Sequence, residues 1–136
     1  QRLVRKICEH CRKEYKLEKA AVSELSKIFD VKKLKELFTG QGLKLGGKEA
    51  TLETIAFYHG EGCRRCGNSG YKGRIGIYEI LEINKEIAEK INERANAAVI
   101  KKFAREQGMI TMQEDGLIKA KQGVTTIEEV LRVTKE

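Results

Sequence analysis

Two Cys-x-x-Cys motifs, Cys8-Glu9-His10-Cys11 and Cys63-Arg64-Arg65-Cys66, contain all four cysteines of the chain and constrain its fold more than any other feature. Two intervening residues let both sulfurs of a pair reach one metal ion, and two pairs supply the four thiolates of a closed tetrahedral zinc site. The expected ligands are Cys8, Cys11, Cys63 and Cys66. Such a site closes the 51 residues between Cys11 and Cys63 into a loop and fixes the beginning of the chain against its middle. Four thiolates leave the metal no open position, so the expected Zn2+ is structural and hydrolyses nothing. A redox or disulfide role is the competing use of a Cys-x-x-Cys pair. His10 and His59 stand near the pairs in sequence, but with four cysteines available neither is needed as a ligand.

A chain of 136 residues can form one domain with a core, or two small lobes sharing a metal clamp. No apolar run approaches the roughly 20 residues that cross a bilayer, and no signal peptide is visible, so the expected location is the cytoplasm. There thiols stay reduced, which favours metal over disulfides. The net charge of +7 is compatible with nucleic acid, an anionic membrane surface or an acidic protein, and selects none of them. The chain opens on Gln1, and the apolar residues Leu3, Val4 and Ile7 follow with no cap before them. That reads as the last turns of a helix delivering Cys8 and Cys11, in a fragment of something longer. Proline is absent, so helix ends must be set by glycine and polar caps.

The apolar spacing from Leu17 to Phe38 predicts two short amphipathic helices broken near Asp30, with their lysines on a solvated face. Thr39 to Ala50 is a loop by composition. Within it, Gly42 to Lys48 matches the spacing of a nucleotide phosphate loop, but Glu49 stands where a magnesium-holding hydroxyl is required, and its carboxylate repels phosphate. Thr54 to His59 and Arg74 to Ile83 alternate like strands and are expected to pair as a hairpin with Cys63 and Cys66 at its tip. Glu79 falls on the apolar face of the second strand, where Arg64, Arg65 or Arg74 would pair with it. Asn84 and Asn96 cap helices, Gly108 and Gly123 end them, and Thr111-x-x-Glu114 and Thr126-x-x-Glu129 fit capping boxes. Met109 and Met112 read as filler between these helices rather than as a recognition stripe.

The expected fold is therefore α+β and mostly helical. Residues 1–83 form a tetracysteine zinc-binding region with a helical insertion and a zinc-clamped β-hairpin, and residues 84–136 form a C-terminal bundle of short helices. No Ser/His/Asp set, hydrolytic histidine cluster or paired carboxylates stand out, so no catalytic residue is assigned and the chain is not expected to be an enzyme on its own.

The run from Cys63-Arg64-Arg65-Cys66-Gly67 through Gly70, Gly73-Arg74 and Gly76-Ile77-Tyr78-Glu79 resembles the C-terminal tetracysteine region of bacterial type II secretion and type IV pilus assembly ATPases. Gln1 to Arg5 resembles the end of that family's ATPase core. Met109 to Met112, Asp115-Gly116-Leu117, Lys119-Ala120, Gly123 to Thr126 and Glu129-Val130 to Thr134 resemble its C-terminal helices. Lys16 to Ala50 matches less clearly and leaves the pilus or secretion subclass open. The resemblance implies a hexameric cytoplasmic motor, peripheral to the inner membrane through its partners, that powers assembly of pilin or pseudopilin subunits. The implied partners are the other subunits of the homohexamer and an inner-membrane platform protein, with no nucleic acid. ATP and Mg2+ would be bound only by the parent protein, upstream of Gln1. The alternative reading is a free-standing basic zinc ribbon that binds nucleic acid through Arg64, Arg65, Lys72 and Arg74.

Overall fold

The computed structural model describes residues 1–45 and 50–135. These residues form β1 (Arg2–Ile7), β2 (Arg12–Lys16), α1 (Lys19–Ile28), α2 (Val31–Gly40), β3 (Ala56–Gly60), β4 (Tyr71–Ile77), α3 (Lys85–Asn92), α4 (Ala97–Glu106), α5 (Met112–Lys121) and α6 (Ile127–Thr134). The class is α+β, as expected. The strands pair differently from the expectation. β3 does not pair with β4 in a hairpin; β1 pairs antiparallel with β4, and β2 with β3.

The opening residues are a strand rather than the end of a helix, and a bulge explains the misreading. Val4 is fully buried while Leu3 is 54% exposed, the alternation of a strand. The register then shifts between Arg5 and Ile7, which returns Ile7 to the buried side. The extra residue gives Val4 and Ile7 the spacing of neighbours on a helix. β2, Arg-Lys-Glu-Tyr-Lys, has no alternating apolar pattern to mark it, and it exists because β3 offers it a ladder from Arg12↔Gly60 to Lys16↔Ala56. The second expected strand starts earlier, at Tyr71, and ends at Ile77. Leu81 and Ile83 lie beyond it, exposed. Among the described residues, the Glu79 carboxylate forms no ion pair with Arg64, Arg65 or Arg74; it accepts the Met112 amide at the start of α5 (3.2 Å).

Helices α5 and α6 and the connection between them finish both edges of the β1–β4 ladder. On the β1 side, the Ile7 amide donates to the Val124 carbonyl (2.9 Å), the Thr125 hydroxyl donates to the Arg5 carbonyl (2.8 Å), and the Arg5 amide donates to the Glu129 carboxylate (2.9 Å). On the β4 side, the Lys119 ammonium donates to the Gly76 carbonyl (2.9 Å) and the Tyr78 amide to the Asp115 carboxylate (2.8 Å). Edge groups that would otherwise be left open are thereby paired.

The helix signals hold. Asp30 separates α1 from α2, its carboxylate accepting the Lys32 and Lys33 amides. Asn84, Asn96, Thr111 and Thr126 all cap as expected. Thr111 and Glu114 form a complete box, whereas Glu129 leaves the Thr126 box half-made because its carboxylate turns to the arginines described below. The core lies between the insertion helices and α5. Phe38 and Phe57 meet edge to face with centroids 6.5 Å apart, among Leu34, Leu52, Leu117 and Ile118. Met109 and Met112 are half-buried, but neither is among the side chains packed against this core, so they do not fill it as expected. The phosphate-loop-like run extends into residues 46–49, which lie outside the described residues.

Candidate metal centre

Each cysteine pair occupies a connection between strands of different ladders. Cys8 and Cys11 lie between β1 and β2, Cys63 and Cys66 between β3 and β4. Because β1 pairs with β4 and β2 with β3, the flanks of one turn hold the flanks of the other, and both turns arrive at one place. The Cys8 amide donates to the Gly70 carbonyl (2.9 Å) and the Glu61 amide to the Cys11 carbonyl (3.0 Å), stitching the two turns together. Gly60 and Gly70 make the approach possible. Gly70 has φ +76°, and a Cβ on it would stand 2.5 Å from the Gly60 carbonyl oxygen, while a Cβ on Gly60 would overlap the Gly70 backbone.

The second pair is shaped by a single turn of tight helix over Arg64–Cys66. The Cys66 sulfur accepts the amides of Cys63 (3.2 Å) and Gly70 (3.3 Å), as a thiolate in a metal-binding turn does. All four sulfurs lie within 4.8 Å of one another. Cys8 and Cys63 are 3.9 Å apart, Cys11 and Cys66 3.9 Å, and Cys63 and Cys66 3.7 Å. Four thiolates at about 2.3 Å from a central zinc would be separated by about 3.8 Å, so the donor set fits a tetrahedral ion. Cys8 and Cys11 are buried, and Cys63 and Cys66 are half-buried. The four residues expected from the sequence are thus the four brought together, and they could hold a metal ion.

The site treats its sulfurs unequally. Burial pushes the Cys11 thiol up to about 12 against the opposing effect of the Gly62 amide. At Cys66 burial acts in the same direction, but the Cys63 and Gly70 amides outweigh it and bring the thiol down to about 6. Burial that disfavours further charge at Cys11 and amides that favour it at Cys66 suit a cation that displaces thiol protons.

Neither histidine joins the cluster. His10 lies on the surface, where the Arg65 guanidinium donates to its ring (2.8 Å), and His59 meets the Tyr15 ring edge-on at 5.3 Å. Sequence reasoning missed the junction of Arg5, Glu129 and Arg132, which ties β1 to α6 across more than 120 residues. No local pattern signals a contact so distant. The half-satisfied Thr126 box is its trace.

Comparison with known proteins agrees with this arrangement. The family model described as "Type II/IV secretion system protein" matches residues 1–132. Over 136 residues, the whole of this chain, it is 42% identical to the Type IV pilus assembly ATPase PilB of Thermus thermophilus, of which it covers 13%. It is 36% identical to the Type IV pilus assembly ATPase PilB of Pseudomonas aeruginosa, again over its full length and covering 20% of that protein. It is likewise 35% identical to the Type II secretion system ATPase E of Vibrio cholerae, covering 22%. The chain therefore spans about a fifth or less of the length of these relatives.

Proposed function

The chain belongs to the type II/IV secretion system protein family, and from that premise we propose that it is the C-terminal zinc-binding region of a pilus-assembly or secretion ATPase. The observation that carries the reading is the four-sulfur cluster at tetrahedral spacing inside a chain of this family. In this reading Zn2+ is structural. It locks the β1–β2 turn to the β3–β4 turn, so that both ladders, and the helices resting on them, move as one piece.

ATP and Mg2+ are handled by the rest of the parent protein, and this region transmits motion instead of performing chemistry. Exposed apolar side chains at Leu3, Ile80 (75% exposed) and Ile83 flank the end of the β1–β4 ladder and supply a surface for the remainder of the motor. Among the described residues, no helix is long and apolar enough to cross a membrane. In this reading the parent is a cytoplasmic hexamer that reaches the inner membrane through a platform protein.

The test uses the full-length parent. Replacing Cys63 and Cys66 together by serine should leave its nucleotide-binding residues in place while pilus assembly or secretion is lost and the ATPase rate falls. Assembly and ATPase rate both unchanged would refute the coupling role.

A further inference from the structure

Arg5 on β1 and Arg74 on β4 stand directly opposite one another in the ladder. Like charges in that relation cost stability unless a negative group lies between them. Arg132 of α6 joins them, and with Leu3 and Val4 the three arginines line an open concavity of about 500 Å³, with no acidic residue among the described residues of its wall. Arg5 and Arg74 also border an adjoining recess with Lys72, Ser69 and Tyr71.

Two of the three guanidiniums are held rigidly from behind. The Glu129 carboxylate, 1% exposed, accepts from Nε and Nη2 of Arg5 (3.0 and 2.6 Å) and from Nε and Nη2 of Arg132 (2.9 and 2.8 Å). The Arg5 guanidinium also lies 4.1 Å over the Tyr71 ring. Both arginines spend their Nε edge on Glu129, which leaves their Nη1 amines for another acceptor, since a guanidinium carries five N–H donors. Arg74 makes no ion pair among the described residues. Among the described residues, the cluster therefore sets one carboxylate, bonded to Arg5 and Arg132, against three guanidiniums, an excess of two positive charges.

We propose that this concavity is a binding site for a small soluble phosphoanion, a phosphate or diphosphate group. The charge excess matches a phosphate dianion. Fixed guanidinium forks suit its several oxygens better than they suit a single carboxylate, and arginines pinned in advance lose little freedom on binding. A recess of this size admits a free anion, whereas a bilayer presents a broad surface. The site is separate from the cysteine cluster and from the phosphate-loop-like run at Gly42.

Calorimetric titration of the zinc-loaded chain with inorganic phosphate and pyrophosphate tests it. Pyrophosphate should bind saturably, with a dissociation constant below about 1 mM, and more tightly than phosphate. Arg74→Ala, at an exposed position outside the metal cluster, should weaken it about tenfold, the effect of losing charge-assisted hydrogen bonds. Lys101→Ala, on an exposed position of α4, should leave it unchanged. No saturable binding would overturn the site. So would a signal indifferent to Arg74→Ala, which would come from the metal, or one weakened equally by Lys101→Ala, which would be diffuse charge. Retention on anionic phospholipid vesicles without pyrophosphate binding would overturn it too.

Discussion

Glu129 is a fully buried carboxylate that keeps its charge. Hydrogen bonds from Arg132 lower it most, burial opposes them, and Arg5 adds its guanidinium and its backbone amide, which together bring the group to about 2. The unfolded chain holds the same carboxyl near its ordinary value of about 4.3, so the folded state binds the proton more weakly. Its contribution, on the order of 3 kcal/mol, is fully present above the unfolded value and is lost as pH falls through about 2. Urea unfolding of Glu129→Gln should show that loss at neutral pH, and between about pH 4.5 and 2 the variant should lack the part of the acid sensitivity that Glu129 supplies. Equal stability of the two proteins at neutral pH would mean that the arginine junction does not hold α6 to β1. Gly70 tests a different residue-level claim. Gly70→Ala sets a Cβ against the Gly60 carbonyl at positive φ and should cost about 2 kcal/mol or more while weakening metal retention, measured by unfolding and by competition with a chelator.

Among the elements, α3 and α4 pack on each other and have no comparable contact with the strands, whereas α5 and α6 rest on each other and on the ladders. Hydrogen exchange should therefore reach α3 and α4 well before α5, and Asn96→Ala, which removes the α4 cap, should cost about 1 kcal/mol and speed exchange in that helix further. Uniform protection across all four helices would contradict this division. The same elements show what could be read from the chain. Helix boundaries were legible because Asp30, Asn84, Asn96 and Thr111 act on amides two or three residues away. The meeting of the four cysteines was legible because their paired spacing is itself the signal. Strand partners were not legible, since β2 carries only Tyr15 as a half-buried apolar residue and the bulge near Lys6 disguises β1. Glu79 escaped for a related reason. Ending β4 at Ile77 turns the following chain away from the apolar face, and the carboxylate meets the free amide of a helix start rather than an arginine.

For the whole molecule, the interlocked pairing of the strands makes the cysteine cluster the junction of both ladders. A metal there would close the segment that contains α1 and α2, which the core around Phe38 and Phe57 joins to α5. Metal removal should accordingly loosen more than the two turns. Treatment with a strong chelator at acidic pH, where thiolates regain their protons, should lower the melting temperature by more than about 5 °C and expose all four thiols to reagent. If the four cysteines hold one structural zinc ion, the metal content of the chain must show it. Elemental analysis of the chain purified without chelator, beside the Cys63→Ser/Cys66→Ser variant, tests it most directly. One zinc per chain is expected in the first and none in the second; a stably folded parent chain with no zinc and four freely reactive thiols would contradict a structural zinc site.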